Sequence, residues 1–219
     1  GSSPEEAAAY YRNFAKGGVE MVWVEDFVDK YEHFPSARST PISESPLAEI
    51  VQAIHEEGSY AGYQISCMGI NFSGTKQIAS GSFASAVAAD MTQEEIKLLE
   101  QDTVTFVKRL KELGFDACEI NAAGNNIGQS FLSRMRNTRD DEYGPQNFEN
   151  RTRFICETIK AIKAECGNDF PVQVLINGIE ENDGTIGDSA LYTTVAENKA
   201  MCKLMEEAGA NSFHVRLGP

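Results

Sequence analysis

The sequence predicts an α/β fold built on a parallel sheet. Three observations carry that prediction. A unit of amphipathic helix, glycine turn and apolar strand recurs, with turn glycines at Gly18, Gly58, Gly114, Gly167 and Gly209, spaced 40, 56, 53 and 42 residues apart. The strands that follow those turns read as 19–27, 60–66, 117–121, 170–177 and 212–217, and their apolar runs are nearly continuous. Such runs belong to strands covered on both faces, as in parallel sheets. Strands that alternate with helices build parallel rather than antiparallel sheets.

Each element has its own local signal. Each turn glycine fits the position just past a helix C-terminus, where a positive φ is needed. Before the second strand, Ser45 reads as an N-cap with Pro46 in the first turn, and Leu47, Ile50, Val51 and Ile54 form one apolar stripe. Before the third strand, Thr92 to Glu95 spells a capping box, in which hydroxyl and carboxylate each satisfy a free backbone N–H. Ile96, Leu99, Phe106, Val107, Leu110 and Leu113 continue that helix. Lys108, Arg109 and Lys111 near its end suit the negative end of the helix dipole. Phe154, Ile155, Ile159 and Ile162 mark the helix before the fourth strand; Val195, Met201, Leu204 and Met205 mark the one before the fifth. These stripes read as core.

Composition excludes several function classes. A net charge of −14 argues against nucleic acid or an anionic membrane surface as partner, because both demand clustered Lys and Arg. No apolar run reaches the ~18–20 residues of a membrane helix, and no secretory-signal pattern is visible, so a soluble cytoplasmic protein is the expectation. Cys67, Cys118, Cys156, Cys166 and Cys202 form no C-x-x-C pair and read as reduced packing thiols. His33, His55 and His214 lack metal-ligand spacing, and no metal site is expected. At 219 residues, 42% of them hydrophobic, one domain spanning 1–219 is the expected organisation.

Two parallel-sheet architectures compete. A doubly wound dinucleotide fold should show G-x-G-x-x-G after its first strand, and none occurs. Long polar segments follow the strand ends instead, at 67–91, 122–149 and 178–193. In a (β/α)8 barrel such loops form the active-site face, although a barrel needs eight strands and five are countable.

The most informative stretch is 119–154, EINAAGNNIGQSFLSRMRNTRDDEYGPQNFENRTRF. It resembles the fourth strand and following loop of the Old Yellow Enzyme family of NADH:flavin oxidoreductases and their 2,4-dienoyl-CoA-reductase relatives. There the pattern is E-[IV]-H-x-A-[HN]-G-Y-L-x-x-Q-F-L-S, then N-x-R-x-D-x-Y-G and E-N-R-x-R-F. Glu119, Ile120, Ala123, Phe131, Leu132 and Ser133 match, as do Asn137, Arg139, Asp141, Tyr143, Gly144, Glu149, Asn150, Arg151, Arg153 and Phe154. A weaker likeness runs along the rest of the chain, through Tyr10-Tyr11-Arg12, Gln64, Phe170-Pro171-Val172 and Phe213-His214-Val215. On that register the chain is a partial TIM (β/α)8 barrel, covering strands two to six.

The resemblance implies an FMN-dependent oxidoreductase that takes a hydride from NAD(P)H and reduces a small-molecule substrate with an activated alkene. It places Gln64 at the flavin pyrimidine edge, where an amide can donate and accept. Asn121 stands at the first substrate-anchoring position, usually His, and can still donate to a carbonyl or thioester oxygen. Gly124 takes the second anchoring position and offers no side chain. Asn126 stands where the proton-donating Tyr belongs, and an amide has no accessible pKa for that task; its neighbour Asn125 can hydrogen-bond but not protonate. Leu175 replaces the strand-five cation, and Cys67 replaces a strand-three His. Arg139, Asp141, Tyr143, Asn150 and Arg151 are expected to pin the long loop rather than to act on substrate. Glu180 and Glu181 read as a solvated loop.

The same register leaves out the first strand and the phosphate-holding strands seven and eight. The expectation is a barrel fragment with an altered active site that binds FMN weakly by itself, with open sheet edges that invite homo-oligomers. The rival reading is a catalytically inactive barrel used for binding or assembly.

Overall fold

Polar and apolar residues alternate along the strands, and that period of two sorts the sheet into two unlike faces. The computed structural model describes residues 3–25, 28, 30–34, 40–66, 88–124, 126–180 and 191–217. Cys67, Asn125 and Glu181 lie outside the described residues, as do residues 26–27 at the end of the expected first strand.

Five strands form one parallel sheet in the order β1 (Met21–Val24), β2 (Tyr60–Ile65), β3 (Ala117–Ala122), β4 (Val172–Ile179) and β5 (Ser212–Leu217). Each strand pairs with the next in sequence, and helices carry the crossovers, which makes the sheet a half-barrel. The helices are α1 (Pro4–Lys16), α2 (Leu47–Glu56), α3 (Gln93–Glu112), α4 (Ile127–Leu132), α5 (Phe148–Cys166) and α6 (Val195–Glu207).

The outer face of the sheet is the apolar one. Val22, Val24, Ala61, Tyr63, Ile65, Cys118, Ile120, Val172, Val174 and Ile176 are buried in a single core with the helix stripes. Tyr63 is fully buried, its ring edge-on to Phe106 at 5.3 Å and to Phe115 at 5.4 Å, so it ties β2 to α3. The inner face is polar, which corrects the expectation of near-continuous apolar strands. Gln64, Glu119, Asn121, Gln173, Asn177, His214 and Arg216 alternate with the core residues. Trp23 fills the inner face at β1 and β2, and a Cβ at Gly62 would lie 2.5 Å from its ring, so no larger residue fits there.

The helix ends follow the sequence signals closely. Thr92 and Glu95 form the expected capping box, and Ser3 with Glu6 and Thr194 with Glu197 form two more. All five turn glycines have positive φ. Ser45, however, does not cap α2. Residues Ile42–Glu44 make a 3-10 turn, and the Ser45 hydroxyl donates 2.7 Å back to Ile42 O, so Pro46 takes the cap position. Lys111 and Lys108 do more than oppose the dipole of α3. Lys111 Nζ donates 2.6 Å to Cys166 O and satisfies an end carbonyl of α5, while Lys108 pairs with Glu165 at 2.8 Å. Val195 is 38% exposed, so the α6 stripe rests on Met201 and Met205. The segment after β3, expected as loop, contains α4, all six residues of which are buried. Among the described residues no helix is long and apolar enough to cross a membrane.

Candidate functional site

Parallel strands carry their functional groups at their C-terminal ends, and the polar inner face opens there. Register sets the layers. Gln64 on β2 pairs with Glu119 on β3, and Glu119 with Gln173 on β4; one layer on, Asn121 pairs with Leu175 and Leu175 with His214.

Glu119 is the centre of the first layer. Its carboxylate is 1% exposed and receives hydrogen bonds from Gln64 Nε2 on one oxygen and Gln173 Nε2 on the other. His214 Nδ1 lies 3.1 Å from the second oxygen. A buried carboxyl is tolerable only with this degree of hydrogen bonding.

Of the residues implied by the resemblance, the structure brings Gln64 and Asn121 into direct contact. Asn121 Nδ2 donates to Gln64 Oε1 at 3.2 Å and to Ser66 Oγ at 3.4 Å, and Asn121 Oδ1 accepts from Ala123 N at 3.1 Å. Both ends of the Asn121 amide are therefore engaged. Asn126 stands apart from that pair. It is buried at the cap position of α4, and its Nδ2 donates 3.0 Å to Ala123 O. Gly124 has φ +58°, and its N–H donates 3.1 Å to Asn177 Oδ1. Leu175 is buried on the inner face beside His214.

The loop after β3 closes on itself. Arg139 holds Asp141 in a two-point pair, at 2.9 Å and 2.5 Å, and also donates to Ala88 O and Met91 O. The Arg139 guanidinium keeps the Asp141 carboxyl well below the usual carboxylate range. Tyr143 donates 2.8 Å to Glu157, and burial together with that carboxylate pushes its hydroxyl up to about 12. Arg151 is buried and donates to Leu132 O at 2.7 Å, Thr193 Oγ1 at 2.9 Å and Glu197 Oε1 at 2.9 Å. Asn150 N donates 2.7 Å to Asn147 Oδ1, and Asn150 Nδ2 reaches Asp141 O at 3.5 Å. All five residues expected to pin the loop do so.

Glu180 is a correction. It is 2% exposed, not solvated, accepting from Ser133 Oγ and from Thr193 N at 2.8 Å. Glu180 follows directly on β4, whose register with β5 shifts between Asn177 and Ile179. Sequence reasoning also missed Glu119, Gln173, His214 and Arg216 as members of the inner face. A signal for them existed: polar residues at even spacing within apolar runs, at 64 and 66, 119 and 121, 173 and 177, and 212, 214 and 216.

Four described cysteines are unpaired thiols. Burial raises the thiol pKa of Cys118, Cys156, Cys166 and Cys202, which keeps them protonated packing groups. Among the described residues no group of three or more His, Cys, Asp or Glu could hold a metal ion.

The model of the NADH:flavin oxidoreductase / NADH oxidase family matches residues 2–212. The chain is 29% identical to an NADH oxidase of Thermoanaerobacter brockii, an alignment that takes in 100% of the chain and 34% of that protein. It is 32% identical to an NADPH dehydrogenase of Bacillus velezensis, over 75% of the chain and 47% of the relative. The chain thus spans between a third and a half of these relatives. An Old Yellow Enzyme homologue from Zymomonas mobilis superposes with a TM-score of 0.70 at 18% identity, over 100% of the chain and 64% of that structure. A likeness at that identity speaks to the fold.

Proposed function

The chain belongs to the NADH:flavin oxidoreductase / NADH oxidase family, and from that premise we propose that it supplies strands two to six of an FMN-dependent NAD(P)H oxidoreductase that reduces an activated carbon–carbon double bond. The observation that carries this reading is the amide cluster on the inner face, Gln64 and Asn121 joined over buried Glu119 at the strand ends. FMN, when bound, would supply the hydride chemistry between NAD(P)H and the substrate.

The residues present fit the edge of such a ring. Gln64 gives one amide hydrogen to Glu119 and keeps a second for a carbonyl on the ring, while its Oε1 is oriented by Asn121 and Ser66. Asn121 therefore acts as a positioning residue for Gln64. Asn126, buried and bonded to Ala123 O, shapes the start of α4 and donates no proton, so water protonates the product carbon. The free thiols support a reducing, cytoplasmic setting. The exposed outer face of β5, with Val215 at 59% and Leu217 at 81%, supports self-association, which light scattering on this chain tests.

The test is a spectrum and an assay of the full-length protein. Flavin absorbance, and NAD(P)H oxidation that depends on an added enone or enoyl thioester, are the expected results. A colourless protein with no such oxidation would refute the reading in favour of an inactive barrel.

A further inference from the structure

Arg216 is the one Lys or Arg on any of the five strands. It sits on the inner face at the end of β5, in register with Asn177, and its side chain is exposed. It makes no hydrogen bond or ion pair among the described residues, although the inner face carries a buried carboxylate at Glu119. Unpaired among the described residues, this guanidinium is a ready partner for an incoming oxygen.

Space for it is made by Gly124. A Cβ built at Gly124 would lie 3.4 Å from Arg216 Nη1 and 3.9 Å from Cζ. Anything longer than a methyl group there would push the guanidinium aside. The bond from Gly124 N–H to Asn177 Oδ1 holds that opening in place. The neighbouring amides cannot serve the same end, since Asn121 spends its donors on Gln64 and Ser66, and Asn126 bonds Ala123 O.

We propose that Arg216 anchors and polarises the acceptor oxygen of the substrate, through the space that Gly124 leaves open. This rests on the functional reading above. When the conjugated bond takes up a hydride at its β-carbon, the π electrons move onto the carbonyl or thioester oxygen; the enolate then takes a proton from water at its α-carbon. NAD(P)H is the reductant. The developing negative charge on oxygen is what a fixed guanidinium stabilises, and its two-point fork also orients the oxygen. Substrates whose oxygen carries extra negative charge in the ground state, such as conjugated carboxylates, gain most.

The experiment uses the full-length, flavin-loaded protein and compares wild type with Arg216→Gln, Arg216→Lys and Gly124→Asn. Substrate affinity is read without turnover, from the absorbance change of the oxidised flavin on adding an enoyl thioester. Stopped-flow absorbance separates flavin reduction by NAD(P)H from flavin reoxidation by the alkene. Arg216→Gln is expected to slow reoxidation on the order of 100-fold and to weaken binding about 10-fold, with reduction by NAD(P)H unchanged. Arg216→Lys, which keeps charge but not the fork, recovers part of the loss. Gly124→Asn tolerates the positive φ yet displaces the guanidinium, and is expected to fall between the two. Wild-type affinity and reoxidation in Arg216→Gln would overturn the assignment alone. A wild-type protein that reduces no enone or enoyl thioester would overturn the functional reading, and the assignment with it.

Discussion

Two polar networks share the segment from β3 to α5 and are built to opposite ends. Between β3 and the start of α5, Arg139, Tyr143 and Arg151 spend their donors on backbone carbonyls and polar side chains of the protein itself, and Asp141 accepts from Arg139. On the inner face, Glu119 gathers Gln64, Gln173 and His214 from three other strands, but the ring ends there in groups that still face outward, above all Arg216. The first network is closed and holds shape. The second is open at one end and can bind. The difference teaches that a strong sequence motif and a reactive site need not coincide: Arg139, Asp141, Tyr143 and Arg151, which mark the family in 119–154, bind other groups of the protein's own scaffold.

If that division is right, substitutions in the loop cost stability and substitutions on the inner face cost binding. The largest stability loss is expected from Arg151→Ala. It removes one of the donors to Glu197 and takes the Arg151 donor from buried Leu132 O and Thr193 Oγ1, and should cost about 3–5 kcal/mol in urea unfolding. Next comes Glu119→Gln, which sets an amide against the amide donors of Gln64 and Gln173. A loss of about 1–3 kcal/mol is expected, accompanied by a drop in flavin affinity out of proportion to it, measured by flavin titration of the full-length protein. A stability loss without any affinity loss would erase the distinction between the two regions.

Asp141 predicts a pH dependence. Its folded pKa is depressed below 3.8 by Arg139, so its contribution is present above the unfolded pKa and is lost as pH falls from about 4 through the folded value. Asp141→Asn should lower stability at pH 7 by about 1–2 kcal/mol and should show a shallower acid limb, so that the two unfolding curves draw together as pH falls below about 4. Parallel curves would assign the acid sensitivity elsewhere. The smallest effect is expected for Ser66→Ala, because its bonds to Asn121 and Gln64 are long, at 3.4 Å and 3.5 Å, and its bond to Glu25 is exposed to water. Less than about 0.5 kcal/mol in thermal unfolding is anticipated.

Much of the architecture was legible. Strand positions followed from apolar runs, and helix ends from Thr92, Gly58 and Gly114, because capping and turn chemistry act within four or five residues. The pinning role of Arg139 and Asp141 was readable for the same reason, since they lie two residues apart. The hub at Glu119 was less so. Its partner His214 lies 95 residues away. Glu180 was misread because the donors that hold it in the interior, Ser133 and Thr193, lie 47 and 13 residues away. Ser45 was misread because Ile42 competes for its hydroxyl.

By itself the sequence determined what local physics controls: which segments are helix and strand, where each turn needs glycine, and, through 119–154, the lineage. Only the tertiary structure decided which polar residues share a face, that Asn121 braces Gln64, and that Arg216 reaches over Gly124. Those contacts depend on strand order and register, and parallel strands pair only after a long crossover has closed, so no short window of sequence contains them.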